Sequence, residues 1–186
     1  MAEGERGAAG ALRLFVACDL PDQTKEAIGD WQRRVVEPCP ELRLNHALHL
    51  TLCFLGPTDP GHVARLVDAL SSVSWAPAEV RVDGPLFLPA RGPRRVVALS
   101  LSDPRGGLHL LQSRVSAALA EKAGLEPGKR PWRPHVTVAR FRRPGQPFPL
   151  QNVNIPGFCV VRMALYSSLL KRAGAVHTPL AVFPAS

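Results

Sequence analysis

A short pattern that occurs twice constrains this chain more than any other feature. The segments His49–Leu52 and His135–Val138 both read His, apolar, Thr, apolar, and one lies in each half of the sequence. Because side chains two residues apart on a β-strand share a face, each copy places its His beside its Thr and turns the two apolar residues to the opposite, buried face. The repetition predicts an internal duplication whose halves face each other across a cleft.

These residue types suit the hydrolysis of a phosphodiester. The reaction needs a base to activate water and an acid to protonate the leaving oxygen, and histidine serves in both roles near neutral pH. The hydroxyls of Thr51 and Thr137 can donate to phosphate oxygens and stabilise the charged transition state. Because imidazolium and hydroxyl groups supply the electrostatics, the sequence predicts no cofactor and no metal.

The spacing of apolar residues predicts an α+β fold. Apolar runs predict strands, and apolar residues at helical spacing predict helices. Their order allows helices to cover the outer faces of two small sheets. We expect a flexible tail over residues 1–10 and a single domain over 11–186. The expected strands are 12–18, 49–55, 80–88, 94–101, 135–141, 158–169 and 175–183, the expected helices are 23–36, 60–73 and 104–123, and a turn is expected at Gly56-Pro57.

The chain is basic, with 23 lysines and arginines against 15 acidic residues and a net charge of +8. This balance favours anionic partners such as nucleic acid or phosphates, although solubility alone explains it equally well. The loop 128–133 places basic residues and Trp132 directly before the second motif. It favours contacts of Arg130 with an RNA backbone and a stacked base, with a solvated loop as the alternative.

The cysteines and the hydropathy of the chain indicate the cellular compartment in which the protein works. The four cysteines form no CxxC pair and no metal-type spacing. The polar N-terminus lacks the pattern of a signal peptide, and no apolar run approaches the length of a membrane span. We therefore expect a reduced, cytoplasmic protein.

Two stretches around the motifs resemble a known family. Residues 49–56, His-Leu-Thr-Leu-Cys-Phe-Leu-Gly, and residues 130–140, Arg-Pro-Trp-Arg-Pro-His-Val-Thr-Val-Ala-Arg, are similar to the two signature blocks of the RNA 2',3'-cyclic phosphodiesterases. These proteins form the LigT-like branch of the two-histidine phosphoesterase superfamily and were formerly called 2'-5' RNA ligases. The similarity extends through segments 13–21, 95–108 and 165–180, and so covers nearly the whole of 12–183.

The resemblance implies a bilobal fold in which two pseudo-symmetric antiparallel-sheet lobes, with helices outside, enclose a central cleft. It implies metal-independent opening of a terminal 2',3'-cyclic phosphate to a 2'-phosphate, with His49 as proton donor and His135 as proton acceptor. Thr51 and Thr137 would hold the phosphate. Because the motifs are nearly symmetric, the sequence alone leaves the roles of the two histidines exchangeable.

Phe54 and Arg140 each follow their motif histidine at the same spacing. The resemblance implies that Phe54 contacts the terminal base and Arg140 the phosphate. Strict strand alternation instead places both on the face away from His and Thr. The implied contacts therefore require that each strand ends or bulges before these residues. The alternatives are core packing for Phe54 and a solvated strand end for Arg140.

Three functions stay open on the sequence. They are hydrolysis of RNA 2',3'-cyclic phosphates, 2'-5' RNA ligation by the reverse chemistry, and a nucleotide- or RNA-binding module without catalysis. Intact His and Thr in both motifs disfavour the third, because binding alone does not need two titratable groups. We expect RNA ends or small nucleotides with a cyclic phosphate as partners, no membrane, no obligate protein partner, and a monomer. His177 and Thr178 are adjacent and so face opposite ways, which leaves this pair outside the predicted site.

Overall fold

The structure, a computed structural model, describes residues 10–125, 131–145, 152–171 and 174–186. Residues 1–9 of the expected tail, and Arg130 in the basic loop, lie outside the described residues. The division into a tail and a single domain stays a prediction. The strands are β1 (Leu12–Asp19), β2 (Leu42–Leu44), β3 (His49–Thr58), β4 (Ala78–Leu88), β5 (Val96–Ser102), β6 (His135–Phe141), β7 (Phe158–Val160), β8 (Arg162–Lys171) and β9 (Gly174–Pro184), and the α-helices are α1 (Asp22–Trp31), α2 (Val63–Ser71) and α3 (Gly107–Ala123).

The strands form an antiparallel sheet in the order β7-β4-β5-β6-β3-β1-β8-β9, with β2 paired to β6. The junction between β3 and β6 is narrow, since one register pair, Leu50 with Val136, joins them. The sheet therefore divides into two halves that meet at the two His-x-Thr segments. The predicted α+β fold with two antiparallel halves is confirmed.

The apolar pattern of each element explains how the two faces of the sheet are used. In β1 the alternate residues Leu14, Val16 and Cys18 are buried in the core. Helix α3 buries one stripe of side chains and packs against α2, β3 and β4. The stripe comprises Leu108, Leu111, Val115, Ala118 and Leu119. Because Leu50 and Leu52 of β3 belong to the same core, the helix covers the face of β3 that is turned away from His49 and Thr51.

Three expected elements are divided in the structure. The expected helix 60–73 begins as a 3-10 turn over Pro60–His62 and is α-helical over Val63–Ser71. The expected helix 23–36 is α-helical only to Trp31 and continues as a π-helical turn over Gln32–Val36. The expected strand 158–169 is two strands, because the chain changes partners at Val161: β7 pairs with β4, and β8 pairs with β1. Strand β2 was not expected, since three residues are too few to give a pattern.

The turn expected at Gly56-Pro57 is wrong, because β3 continues to Thr58. Gly56 adopts a φ of 72°, which favours glycine, and Leu55 is skipped in the register with β1, as in a β-bulge. Pro57 is tolerated there because β3 is paired to β6 only at Leu50 and so has an open edge at this end.

Candidate active site

The two motifs meet at one cleft between the halves of the sheet. Its volume is about 440 Å³, which lies in the range of small-molecule sites. The predicted residues His49, Thr51, His135 and Thr137 all line it. The other lining residues are Arg13, Leu14, Phe15, Arg43, Leu44, Asn45, Phe54, Gly56, Arg140, Ser168, Leu170, Gly174, Ala175 and His177. Among the described lining residues there are three arginines and no carboxylate, so the cleft suits an anion.

Both motif histidines are held in the same way by the backbone. Nδ1 of His49 lies 2.7 Å from the carbonyl oxygen of Ala47. Nδ1 of His135 lies 2.8 Å from the carbonyl oxygen of Arg133. Because a carbonyl can only accept, Nδ1 carries the proton in each ring and donates. In the neutral form of each ring Nε2 is therefore unprotonated, so it can take up a proton and, once protonated, release it.

The surroundings of His49 disfavour its charged form. Burial lowers the pKa of His49 to about 4. The hydrogen bond to Ala47 acts in the opposite direction, and the nearby His177 and His135 lower the pKa further. His49 is therefore neutral at pH 7 in the unliganded protein, and an anion bound beside it should raise its pKa.

A β-bulge in each motif strand resolves the positions of Phe54 and Arg140. In β3, Thr51 pairs with Ala17 and Cys53 with Val16, so Leu52 has no register partner. Both Leu52 and Cys53 are buried, and this reverses the alternation before Phe54. Phe54 therefore lies on the cleft side and is 73% exposed, which excludes core packing.

Strand β6 carries the same irregularity at the equivalent position. Thr137 pairs with Ala98 and Ala139 with Val97, so Val138 has no register partner. Val138 and Ala139 are both buried, and Arg140 is turned to the cleft. Since the two bulges fall at matching positions of the motifs, the pseudo-symmetry extends from His and Thr to the residues that follow them.

Each motif threonine is also fixed by a side chain that approaches from the other motif. Trp132 Nε1 donates to the carbonyl oxygen of Thr51 at 3.0 Å. Asn45 Nδ2 donates to the carbonyl oxygen of Thr137 at 2.8 Å. Gln32 adds two bonds beside these, since its Nε2 donates to Val138 O at 2.8 Å and to Asn45 O at 2.9 Å. The bonds from Trp132 and Asn45 tie the segment before each motif to the strand of the other motif.

Trp132, the aromatic residue of the basic loop, is not among the residues that line the cleft, and its expected stacking on a base stays a prediction. Its indole N–H donates to the carbonyl oxygen of Thr51, and the centroid of its ring lies 5.2 Å from that of His109 in an edge-on contact. Trp132 is half-buried. Arg130, expected in the same loop, lies outside the described residues.

We expect the Trp132→Phe substitution to destabilise the protein by about 1 kcal/mol, because it removes the donor and leaves a partly buried carbonyl without its partner. Urea denaturation followed by circular dichroism measures the change in the free energy of unfolding. An unchanged or higher free energy of unfolding would show that the bond to Thr51 contributes nothing to stability.

The floor of the cleft beside His49 is aromatic and was not predicted from the sequence. Phe15 is 4% exposed, and its ring lies 5.0 Å from His49, 5.3 Å from Tyr166 and 4.8 Å from His177. The hydroxyl of Tyr166 donates to Asp19. Strand alternation in β1 places Phe15 opposite the core residues, which was the one signal that could have pointed to it.

Two further observations on the described residues concern metal-ligating clusters and membrane-spanning helices. No group of three or more His, Cys, Asp or Glu side chains suited to a metal ion occurs in the part of the chain that the structure describes. None of the helices in the described ranges is long and apolar enough to cross a membrane.

The chain is similar to known proteins over most of its length. Residues 20–153 match the family described as the 2'-5' RNA ligase superfamily. The RNA 2',3'-cyclic phosphodiesterase of Thermus thermophilus is 34% identical over 92% of this chain and 89% of its own length. The Escherichia coli protein of the same name is 33% identical over 90% of this chain and 93% of its own.

Solved structures agree as well. A crystal structure of a Thermus thermophilus protein has a TM-score of 0.81 at 27% identity and covers 93% of this chain and 97% of its own. Escherichia coli LigT complexed with 3'-AMP has a TM-score of 0.75 at 25% identity and covers 96% of this chain and 99% of its own.

Proposed function

The chain belongs to the 2'-5' RNA ligase superfamily, and from this premise we propose that it is an RNA 2',3'-cyclic phosphodiesterase that opens the cyclic phosphate at an RNA end to a 2'-phosphate. The observation that carries the proposal is the matched pair of histidines, each held through Nδ1 and each lining the same cleft. The curated relatives of that name support the reaction class.

The reaction proceeds in line through the phosphorus. Nε2 of His135 takes a proton from a water molecule as the water oxygen forms a bond to phosphorus. The bond between phosphorus and O3' breaks on the opposite side, and Nε2 of His49 gives its proton to O3'. The products are a 2'-phosphate and a free 3'-hydroxyl. His135 then holds the proton that His49 has lost, and exchange with solvent restores both rings.

His49 must be protonated to act as the acid, although it is neutral in the unliganded protein. The bound phosphate diester brings a negative charge next to its ring, and an opposite charge at this distance raises the pKa of a histidine. Binding of the substrate therefore favours the protonated form of His49 that acts as the acid. The reverse assignment, with His49 as base and His135 as acid, uses the same geometry.

The charge of the transition state is met by side chains of the protein. The hydroxyls of Thr51 and Thr137 donate to the two non-bridging oxygens, and the guanidinium of Arg140 adds a fixed positive charge at the same cleft. Phe54 offers its exposed ring to the terminal base. With these groups in place, the reaction needs no metal ion.

The direct test is hydrolysis of an oligonucleotide that ends in a 2',3'-cyclic phosphate, with EDTA present. We expect full activity under these conditions and a 2'-phosphate as the product, identified by chromatography against both isomers. No conversion would contradict the enzyme activity. A strict need for added metal would contradict the mechanism, and a 3'-phosphate would show that O2' is the leaving oxygen.

Ligation is a second candidate, because the matching family is named for 2'-5' RNA ligases. If the 5'-hydroxyl of another RNA replaces water as the nucleophile, the same acid and base join the two strands through a 2'-5' linkage. Adding a 5'-hydroxyl oligonucleotide to the cyclic phosphate substrate tests this reading. A joined product that resists nucleases specific for 3'-5' linkages would support it.

A further inference from the structure

A third histidine lies in the cleft and has no part in the proposed proton transfers. The ring of His177 lies 5.1 Å from the ring of His49 and meets it edge-on, at 86°. It also contacts Phe15, again edge-on, at 4.8 Å. His177 is half-buried and lines the cleft, whereas the adjacent Thr178 is exposed.

The two ring nitrogens of His177 differ in their surroundings. Its Nδ1 is buried and has no hydrogen-bond partner among the described residues. A proton on Nδ1 would be an unmet buried donor, whereas a proton on Nε2 can meet a ligand or solvent, so we assign the proton of the neutral ring to Nε2. Because Nδ1 is buried, the accessible edge of the ring carries Nε2. His177 thus offers an N–H to the cleft, whereas neutral His49 offers a lone pair.

A second polar side chain stands directly opposite His177. Ser168 of β8 is its register partner in β9, and both line the cleft. Leu170 and Ala175, the next pair on the same face of this hairpin, line the cleft as well. The hairpin therefore presents two polar groups beside an apolar patch, a combination that fits a nucleoside better than a bare phosphate.

The reaction geometry shows what lies on this side of His49. In the proposed mechanism His49 protonates O3', so the ribose that carries O3' extends from the phosphate past His49 and away from His135. His177 and Ser168 are on the His49 half of the sheet. We propose that His177 and Ser168 form a polar subsite for the terminal nucleoside of the substrate, in which Nε2–H of His177 donates to that nucleoside. This inference rests on the proposed function, because the cyclic phosphate sets where the nucleoside lies.

Two ligands separate this subsite from the phosphate site. Adenosine 2'-monophosphate occupies both sites, whereas inorganic phosphate occupies only the site formed by the motif His and Thr residues. We expect His177→Phe to raise the Kd of adenosine 2'-monophosphate by about twofold to tenfold, as the loss of one neutral hydrogen bond predicts, and to change the Kd of phosphate much less. Isothermal titration calorimetry measures both constants.

Two further variants control the measurement. His177→Gln keeps an N–H donor near the position of Nε2 and should recover part of the nucleotide affinity. His62→Phe makes the same change at an exposed histidine outside the cleft and should alter neither Kd. Equal weakening of both ligands by His177→Phe would mean that His177 acts through His49, and no weakening of the nucleotide would mean that it makes no contact. Either result overturns the proposal.

Failure of the proposed function would give a different result. If the wild-type protein binds adenosine 2'-monophosphate in a manner that depends on His177, but does not open a cyclic phosphate, the hydrolase is wrong and the subsite stands.

Discussion

Replacing His49 or His135 by alanine is expected to slow hydrolysis of a 2',3'-cyclic phosphate by about 10²- to 10⁴-fold in each case, the range typical of a lost general acid or base. Each ring is held by one backbone carbonyl through Nδ1, so its Nε2 is the nitrogen left for proton transfer. The rate under substrate saturation, followed by chromatography of the product, measures the effect.

The control for these variants is His62→Ala, since His62 is exposed and lies outside the cleft. It should retain full activity. The thermal unfolding of all three variants shows whether a loss of rate reflects a loss of fold, which is a concern at His49 because its ring packs on Phe15 and His177. Near-normal turnover by a folded His49→Ala or His135→Ala protein would contradict the proton-transfer role of that histidine.

A substrate with sulfur in place of O3' separates the acid from the base. A thiolate leaves without being protonated, so the variant that lacks the acid should regain most of its rate on this substrate. The variant that lacks the base should not. We expect recovery for His49→Ala. Recovery for His135→Ala instead would reverse the two roles, an exchange that the lowered pKa of unliganded His49 makes physically reasonable.

The sequence predicted the parts of the site that depend on local order. A two-residue period is enough to place Thr51 beside His49 and Thr137 beside His135, and the structure has all four side chains in one cleft. The long helix α3 was predicted in the same way, because apolar residues at helical spacing are enough to indicate an amphipathic helix. Their roles in the reaction stay predictions.

The remaining part of the site depends on pairing between distant strands, which no local period reveals. Phe54 and Arg140 reach the cleft because Leu52 and Val138 bulge, and a bulge is set by the partner strand rather than by its own residues. Alternation places His177 and Thr178 on opposite faces, yet His177 alone lies on the face that lines the cleft. The bond from Asn45 to Thr137 joins residues that lie far apart in the sequence. The sequence around either residue contains no pattern that predicts this bond.

The second large effect is expected from the threonine hydroxyls. Thr51→Val and Thr137→Val keep the shape and the β-branch of the side chain but remove its O–H, so the strand geometry and the bonds to the backbone carbonyls of residues 51 and 137 should be kept. Loss of one preorganised donor to a charged transition state costs about 10²- to 10³-fold in kcat.

Serine at the same two positions is the matched control, because it restores the hydroxyl and loses only a methyl group. We expect Thr51→Ser and Thr137→Ser to keep most of the activity that the valine variants lose. If the hydroxyls act mainly on the transition state, the valine variants lose kcat and keep KM, whereas a donor that binds ground-state phosphate equally well would raise KM and leave kcat unchanged. Valine variants with wild-type kcat and KM would remove both threonines from the mechanism. The charge would then rest on Arg140 and the protonated histidine, and the symmetry of the two motifs would be structural rather than catalytic in origin.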